Sequence, residues 1–377
     1  MNRRLASLLL ALCTLLSLAA CGKSETPPAP QPPQEAPVEQ ITVDGMSLGT
    51  GLAEEVQAEA LIDENPDRDI DRAVKPIEPS PAAMLDGSAL GEEFYYYRST
   101  LDPTLQQAYD LLRAGILAGT AKIKMTVPVS KNDIFNLYKM VLYDSPDLFW
   151  CEVNGARYSY NNAGHVTSLS PGYNALAADI PGNTAKLEAT VSEALADIWS
   201  LPTAAEKAKY AHDYLTHHVS YDLNAPYNQT AYSALVGHSS VCAGYSHAFQ
   251  YLMQKSGIPC AYVLGYSMGG YHAWNVVLLD GEHYAMDVTW DDPVGAAPTK
   301  YYYNYFNITD QAISSDHVRA DASAVIPEAL GTACSYQNAF GGNAYGTDFA
   351  AIVGVLPEQQ PAGGGESGGT ADNPYLG

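Results

Sequence analysis

Between Phe94 and Ala178 the apolar positions alternate between a helical and a strand period. Asp102-Pro103 reads as a helix start, with the Asp as N-cap and the Pro at the first helical position. Leu105, Ala108, Tyr109, Leu112 and Ile116 then follow at helical spacing. Ala121 to Val127 alternates as a strand, and Ile134, Leu137, Tyr138, Val141 and Leu142 mark a second helix. Leu148 to Val153, Ala156 to Tyr160 and His165 to Leu169 read as a strand meander that turns at Asn154-Gly155. This stretch, 86–178, is a small α+β domain without candidate chemistry, so packing, substrate presentation or spacing is its expected role.

A second domain, 179–340, opens with helices. One is expected over Thr184–Trp199, and Thr203-Ala204-Ala205-Glu206 matches a capping box that starts another, running to His217. After an irregular Tyr- and Asn-rich stretch, Cys242-Ala243-Gly244-Tyr245 leads into Ala248, Phe249, Leu252 and Met253 at helical spacing, stopped by Gly257 and Pro259. Strands follow at Cys260–Tyr266, His272–Leu279 and His283–Trp290. The order is helix, then antiparallel strands.

The ends change the picture of where this fold sits. Arg3 and Arg4 precede an apolar run, Leu5 to Ala20, that suits a signal peptide (1–20) and falls short of the roughly 20 residues of a spanning helix. It closes on Leu18-Ala19-Ala20-Cys21-Gly22, which resembles the bacterial lipobox. That resemblance implies acylation of Cys21 and a lipid anchor in the cell membrane, on its extracytoplasmic face. Residues 21–85 are Pro-rich and then acidic, the composition of a disordered tether, and 341–377 read as a flexible tail. The formal charge of −23 repels phosphate backbones and argues against a nucleic-acid partner.

Cysteine usage narrows the chemistry. Cys13 leaves with the leader and Cys21 takes the lipid. Cys151, Cys242, Cys260 and Cys334 show no C-x-x-C spacing, so no zinc site and no cofactor is expected. A disulfide among Cys151, Cys260 and Cys334 stays open outside the cell, with no pairing fixed. Asp213 and His217 stand at i, i+4, a spacing for two metal ligands, but no further ligand joins them. That segment, with His212 and His218, reads as a solvated helix end.

Cys242 differs from the other cysteines by its place at a helix N-terminus, behind Ser239 and Ser240 as potential caps. Unpaired N–H groups and the positive helix end favour thiolate and suit an oxyanion. A two-residue turn at Asp280-Gly281 sets Leu279 opposite Glu282, so Asp287 falls opposite Trp274 with His272 as the diagonal neighbour on the same face. A three-residue loop would put the two on opposite faces. Asp287 would orient the imidazole, and His272 would deprotonate Cys242.

Together, Cys242-Ala243-Gly244-Tyr245, His272-Ala273-Trp274-Asn275 and Asp287-Val288-Thr289-Trp290 resemble the Cys, His and Asp boxes of bacterial transglutaminase-like proteins. Tyr305-Phe306-Asn307-Ile308-Thr309-Asp310 and Asp316-His317 resemble the closing strand of that domain. The resemblance implies an α+β, papain-like fold, with a nucleophile helix on an antiparallel sheet, and acyl transfer through a thioester. It makes Tyr221 the candidate second oxyanion donor and Trp274 and Trp290 the walls of the cleft. The expected function is a surface-anchored thiol enzyme acting on peptide, isopeptide or cell-wall peptide bonds, with hydrolysis preferred. The alternative is a non-catalytic binding scaffold on the same fold, presenting Tyr301, Tyr302, Tyr303 and Tyr305.

Overall fold

The computed structural model describes residues 61–62, 90–292, 300–341 and 347–348. The leader, Cys21, the tether apart from Leu61–Ile62, and most of the tail lie outside the described residues. No helix among the described residues is long and apolar enough to cross a membrane.

The first region mixes helices with a four-stranded sheet of order β1-β3-β4-β2. Its strands are β1 (Leu61–Ile62), β2 (Ile123–Lys124), β3 (Cys151–Tyr160) and β4 (Val166–Tyr173). Its helices are α1 (Tyr96–Ser99), α2 (Pro103–Leu117) and α3 (Ile134–Asp144). Asp102 caps α2 as expected, accepting from the Thr104 and Leu105 N–H groups. Within the expected tether, Leu61–Ile62 instead adds an edge strand, parallel to β3.

Asn154-Gly155 is not a hairpin turn. β3 runs straight through it, and the pairing with β4 shifts register between Glu152 and Arg157. The pair sits at a bulge, where Gly155 takes φ +78°. An Asn-Gly pair signals a positive φ, and a bulge can supply that as well as a turn. The chain reverses at 161–165, where the Asn161 side chain accepts from the Ala163 and His165 N–H groups.

Helix α4 spans Ile180–Ala194, earlier than the Thr184–Trp199 expected, because the Asp179 side chain caps it at the Gly182 N–H. Helix α5 (Ala204–His218) begins at the full Thr203–Glu206 capping box. Two short parallel strands, β5 (Ser220–Tyr221) and β6 (Ser239–Ser240), flank α6 (Ala231–Leu235) and lead into α7 (Cys242–Lys255). An antiparallel sheet of order β10-β7-β8-β9 follows, from β7 (Cys260–Ser267), β8 (Gly270–Leu279), β9 (Glu282–Met286) and β10 (His317–Arg319).

Helix α7 is the hub. It packs on the sheet, where the Asn275 amide donates to the Ser246 carbonyl at 3.0 Å. It also grips the first region, with Gln250 and Gln254 donating to the Tyr143 and Asp144 carbonyls. Tyr143 stacks on Tyr262 of β7 at 5.3 Å between ring centroids. One apolar core runs from Ala108 in α2 to Tyr336, so residues on both sides of position 178 share an interior.

Candidate active site

Helix α7 starts at Cys242, and no side chain caps it. The two serines expected as caps are used elsewhere: Ser240 Oγ donates to the Asn228 carbonyl at 2.7 Å, and Ser239 is paired in β6. Val241 holds the N-cap position, and its side chain accepts no hydrogen bond. No side chain therefore occupies the first-turn N–H groups at Cys242. Gly244 explains why the cysteine box carries a glycine. A Cβ there would lie 2.7 Å from the Asn228 carbonyl oxygen and 2.9 Å from that of Thr230, so a side chain would push the 228–230 loop off the helix start.

The hairpin that carries His272 and Asp287 has the expected register. Leu279 pairs with Glu282, and the ladder runs to Asn275 opposite Met286. Asp280 and Gly281 both take positive φ, +50° and +87°, as a two-residue turn requires. His272 Nε2 bonds Asp287 Oδ2 at 2.6 Å. The Cys242 side chain stands close enough to the His272 ring to act on its charge. With Nε2 committed to Asp287, Nδ1 is the nitrogen that serves the thiol.

Asp287 is more enclosed than the hairpin alone implies. Its Oδ1 accepts the Thr289 and Trp290 N–H groups. Its Oδ2 is shared between His272 and His317 Nε2, the latter at 3.0 Å on β10. The other nitrogen of His317, Nδ1, bonds Asp316, which also accepts the Tyr305 hydroxyl. The result is a chain of hydrogen bonds, His272–Asp287–His317–Asp316–Tyr305, with Cys242 beside its His272 end.

Burial alone would raise the Asp287 carboxyl, but the two histidines outweigh it and hold the group well below the usual carboxylate range. Burial likewise opposes charge on His272, yet Asp287 and Cys242 outweigh it and push the imidazole up to about 10. Trp274 lies buried beside His272, while Trp290 is partly exposed 5.9 Å from the His272 ring centroid. Tyr221 pairs with Ser240, two residues before Cys242.

His272, Asp287 and His317 place three metal-type donor atoms within 4.8 Å of one another. Each is already spent in the hydrogen-bond chain, so a cation would have to displace both histidine N–H donations to Asp287. His317 belongs to the Asp316-His317 segment that the sequence marks as a closing strand, but no spacing rule ties it to Asp287. Only pairing of β10 with β7, His317 opposite Ser267, brings it there.

Three further expectations change. His212 and Asp213 are not at a solvated helix end but fully buried, with His212 bonded to Asp213 at 3.0 Å and to Asp291 at 3.2 Å. Tyr303 is no surface residue, since it is 1% exposed and stacked on Tyr336, and Tyr305 is tied to Asp316. Cys151, Cys260 and Cys334 are free and buried, and burial pushes the Cys151 thiol up to about 12. Among the described cysteines, Cys242 is the one with partial exposure.

The α+β fold thus seats a cysteine at a helix start, beside a histidine–aspartate pair on an antiparallel sheet. Residues 194–288, which include Cys242, His272 and Asp287, match the transglutaminase-like superfamily, so this part of the chain is a transglutaminase-like domain. Among curated proteins the chain is similar to kyphoscoliosis peptidase of Homo sapiens, 27% identical over 29% of this chain and 20% of that protein. It is also similar to kyphoscoliosis peptidase of Mus musculus, 28% identical over 26% of this chain and 18% of that one. The chain thus spans about a fifth of the length of these relatives. A solved structure described as a TGase is similar over 36% of this chain and 45% of its own, at 16% identity and a TM-score of 0.26.

Proposed function

We propose that the protein is a thiol enzyme that cleaves or transfers acyl groups at peptide or isopeptide bonds, with Cys242 as nucleophile, His272 as proton carrier and Asp287 as its orienting partner. The observation that carries this reading is the half-buried Cys242, at a helix start that no side chain caps, beside a His272 that is hydrogen-bonded to Asp287.

In the first step the Cys242 proton passes to His272, and the thiolate attacks the acyl carbon. The carbonyl π pair moves onto oxygen, which the first-turn N–H groups of α7 stabilise, with Tyr221 as the candidate second donor. Collapse of that intermediate breaks the C–N bond. His272 returns its proton to the departing amine, leaving a thioester. Water, or a second amine, then attacks the thioester while His272 takes its proton, and the thiol leaves as acyl product forms. Water needs no second binding site, which favours hydrolysis. Asp287 keeps the imidazole in register throughout, and His317 keeps Asp287 in register.

The lipobox-like Cys21 segment supports an anchored, extracytoplasmic enzyme whose substrates are cell-surface or cell-wall peptides. The test is the pH dependence of iodoacetamide alkylation at Cys242. Rapid labelling near pH 6 that slows in His272→Ala is expected. Labelling that rises only near the pKa of a free thiol, about 8.5, and ignores His272 would end this reading in favour of a binding scaffold.

A further inference from the structure

A cavity of about 80 Å³ lies where the first region meets the nucleophile helix, walled by Phe149, Val153, Gln229, Thr230, His247 and Tyr262. It is far smaller than the roughly 300–1,000 Å³ of sites that enclose whole small molecules, so it suits one side chain of a larger ligand. Three links place it beside Cys242. His247 stands five residues along α7, about 7.5 Å of helix axis. The Thr230 carbonyl presses on the helix start at Gly244. Tyr262 lies within electrostatic reach of Cys242.

The cavity is mostly apolar, with Ser145, Glu152 and Asn154 also in its lining and two acceptors open to a ligand. Gln250 donates its amide N–H to the Tyr143 carbonyl at 3.0 Å, so its Oε1 faces His247 as an acceptor. His247 therefore carries its proton on Nδ1 and presents a bare Nε2. Burial lowers His247 to about 4, so the ring stays neutral near pH 7. It lies flat on Tyr262, 4.2 Å between centroids at 8°. Gln229 Oε1 is buried without a hydrogen-bond partner, while the Gln229 amide N–H donates to Asn228. A buried acceptor left unpaired costs about 1–3 kcal/mol, and an incoming N–H would recover it.

We propose that this cavity is the specificity pocket of the acyl donor, taking a bulky apolar or aromatic peptide side chain one or two residues from the scissile bond, with a peptide N–H donated to Gln229 or His247. This rests on Cys242 being the nucleophile. It also gives the first region a part in recognition, since Phe149 and Val153 form the pocket wall that the transglutaminase-like segment lacks.

The test has two arms on the chain from residue 22 onward, so that β1 and both regions are kept. N-acetyl-phenylalanine amide and N-acetyl-aspartate amide are compared by saturation-transfer NMR against wild type and Glu152→Trp, a change at the partly exposed pocket rim. Cys242 is alkylated in parallel by iodoacetamide and by phenylalanyl and aspartyl chloromethyl ketones. The expected result is binding of the phenylalanine amide alone, lost in Glu152→Trp. At least a tenfold rate preference for the phenylalanyl ketone should fall to about twofold in the variant, with iodoacetamide rates unchanged. Absence of binding in wild type, or a preference that survives Glu152→Trp, overturns the pocket. Binding that Glu152→Trp abolishes, alongside slow and His272-independent iodoacetamide labelling, keeps the pocket as a peptide site and removes the nucleophile.

Discussion

Two buried histidines, His212 and His272, are each bonded to a carboxylate, and only His272 meets a thiol. His272 sits between Asp287 and Cys242. His212 sits between Asp213 and Asp291, with Lys209 on Asp213 at 2.5 Å and the rings of Tyr303 and Phe306 around it. In both, burial opposes the charge and the acidic neighbours overcome it, two carboxylates lifting His212 to about 9 and Asp287 with Cys242 lifting His272 to about 10. A raised imidazole pKa thus marks a buried ion pair and nothing more. What distinguishes the His272 site is the partly exposed sulfur and the uncapped helix end beside it. The two clusters meet at Tyr305, whose N–H bonds Asp291 and whose carbonyl accepts the Asp287 N–H.

The comparison breaks most sharply under substitution. Cys242→Ala should abolish acyl transfer, and His272→Ala should slow Cys242 alkylation at pH 6 by about 10²-fold, measured by mass spectrometry of the labelled peptide. His212→Ala should do the reverse. It leaves two buried carboxylates facing each other and should cost about 3–5 kcal/mol in urea unfolding, while the alkylation profile of the folded fraction keeps its shape. A large loss of alkylation in His212→Ala would mean that the clusters act as one unit through Tyr305.

pH should separate them less strongly. The folded pKa values of His212 and His272 lie above the ordinary 6.5, so their contribution to stability is complete below about pH 6.5 and is lost as pH rises through about 9 and 10. Asp292, raised by burial to about 8 despite the Tyr245 hydroxyl, acts in the same direction. Thermal melts should therefore show Tm falling from pH 6.5 to 9, and falling less in His212→Gln. The smallest effect is expected for His317→Ala: about a tenfold loss in alkylation rate, roughly 1.4 kcal/mol, as Asp287 loses one of its clamps. An unchanged rate would make His317 mere packing.

The division between these two sites also marks how far the chain is legible from its residues alone. The His272–Asp287 pair is legible because a strand period of two and a two-residue turn leave one register. The capping box of α5 and the Asp102 cap are legible for a similar reason, since local hydrogen bonds follow from local sequence. His317 is not legible as a partner of Asp287, because its position depends on which sheet edge β10 joins. Nor is His212, whose carboxylate Asp291 lies 79 residues away. Asn154-Gly155 differs again: its backbone conformation is legible, and its setting, bulge or turn, is not.

Helix α7 begins without a closing side chain, unlike α2 and α5. A side-chain cap contributes about 1 kcal/mol, and this helix forgoes it at the residue proposed to react. On the proposed chemistry the resting protein is incomplete at one helix end, and the oxyanion of turnover would be the group that completes it. A peptide aldehyde that leaves a tetrahedral alkoxide on Cys242 should accordingly tighten amide-exchange protection in the first turn of α7 as well as block the sulfur.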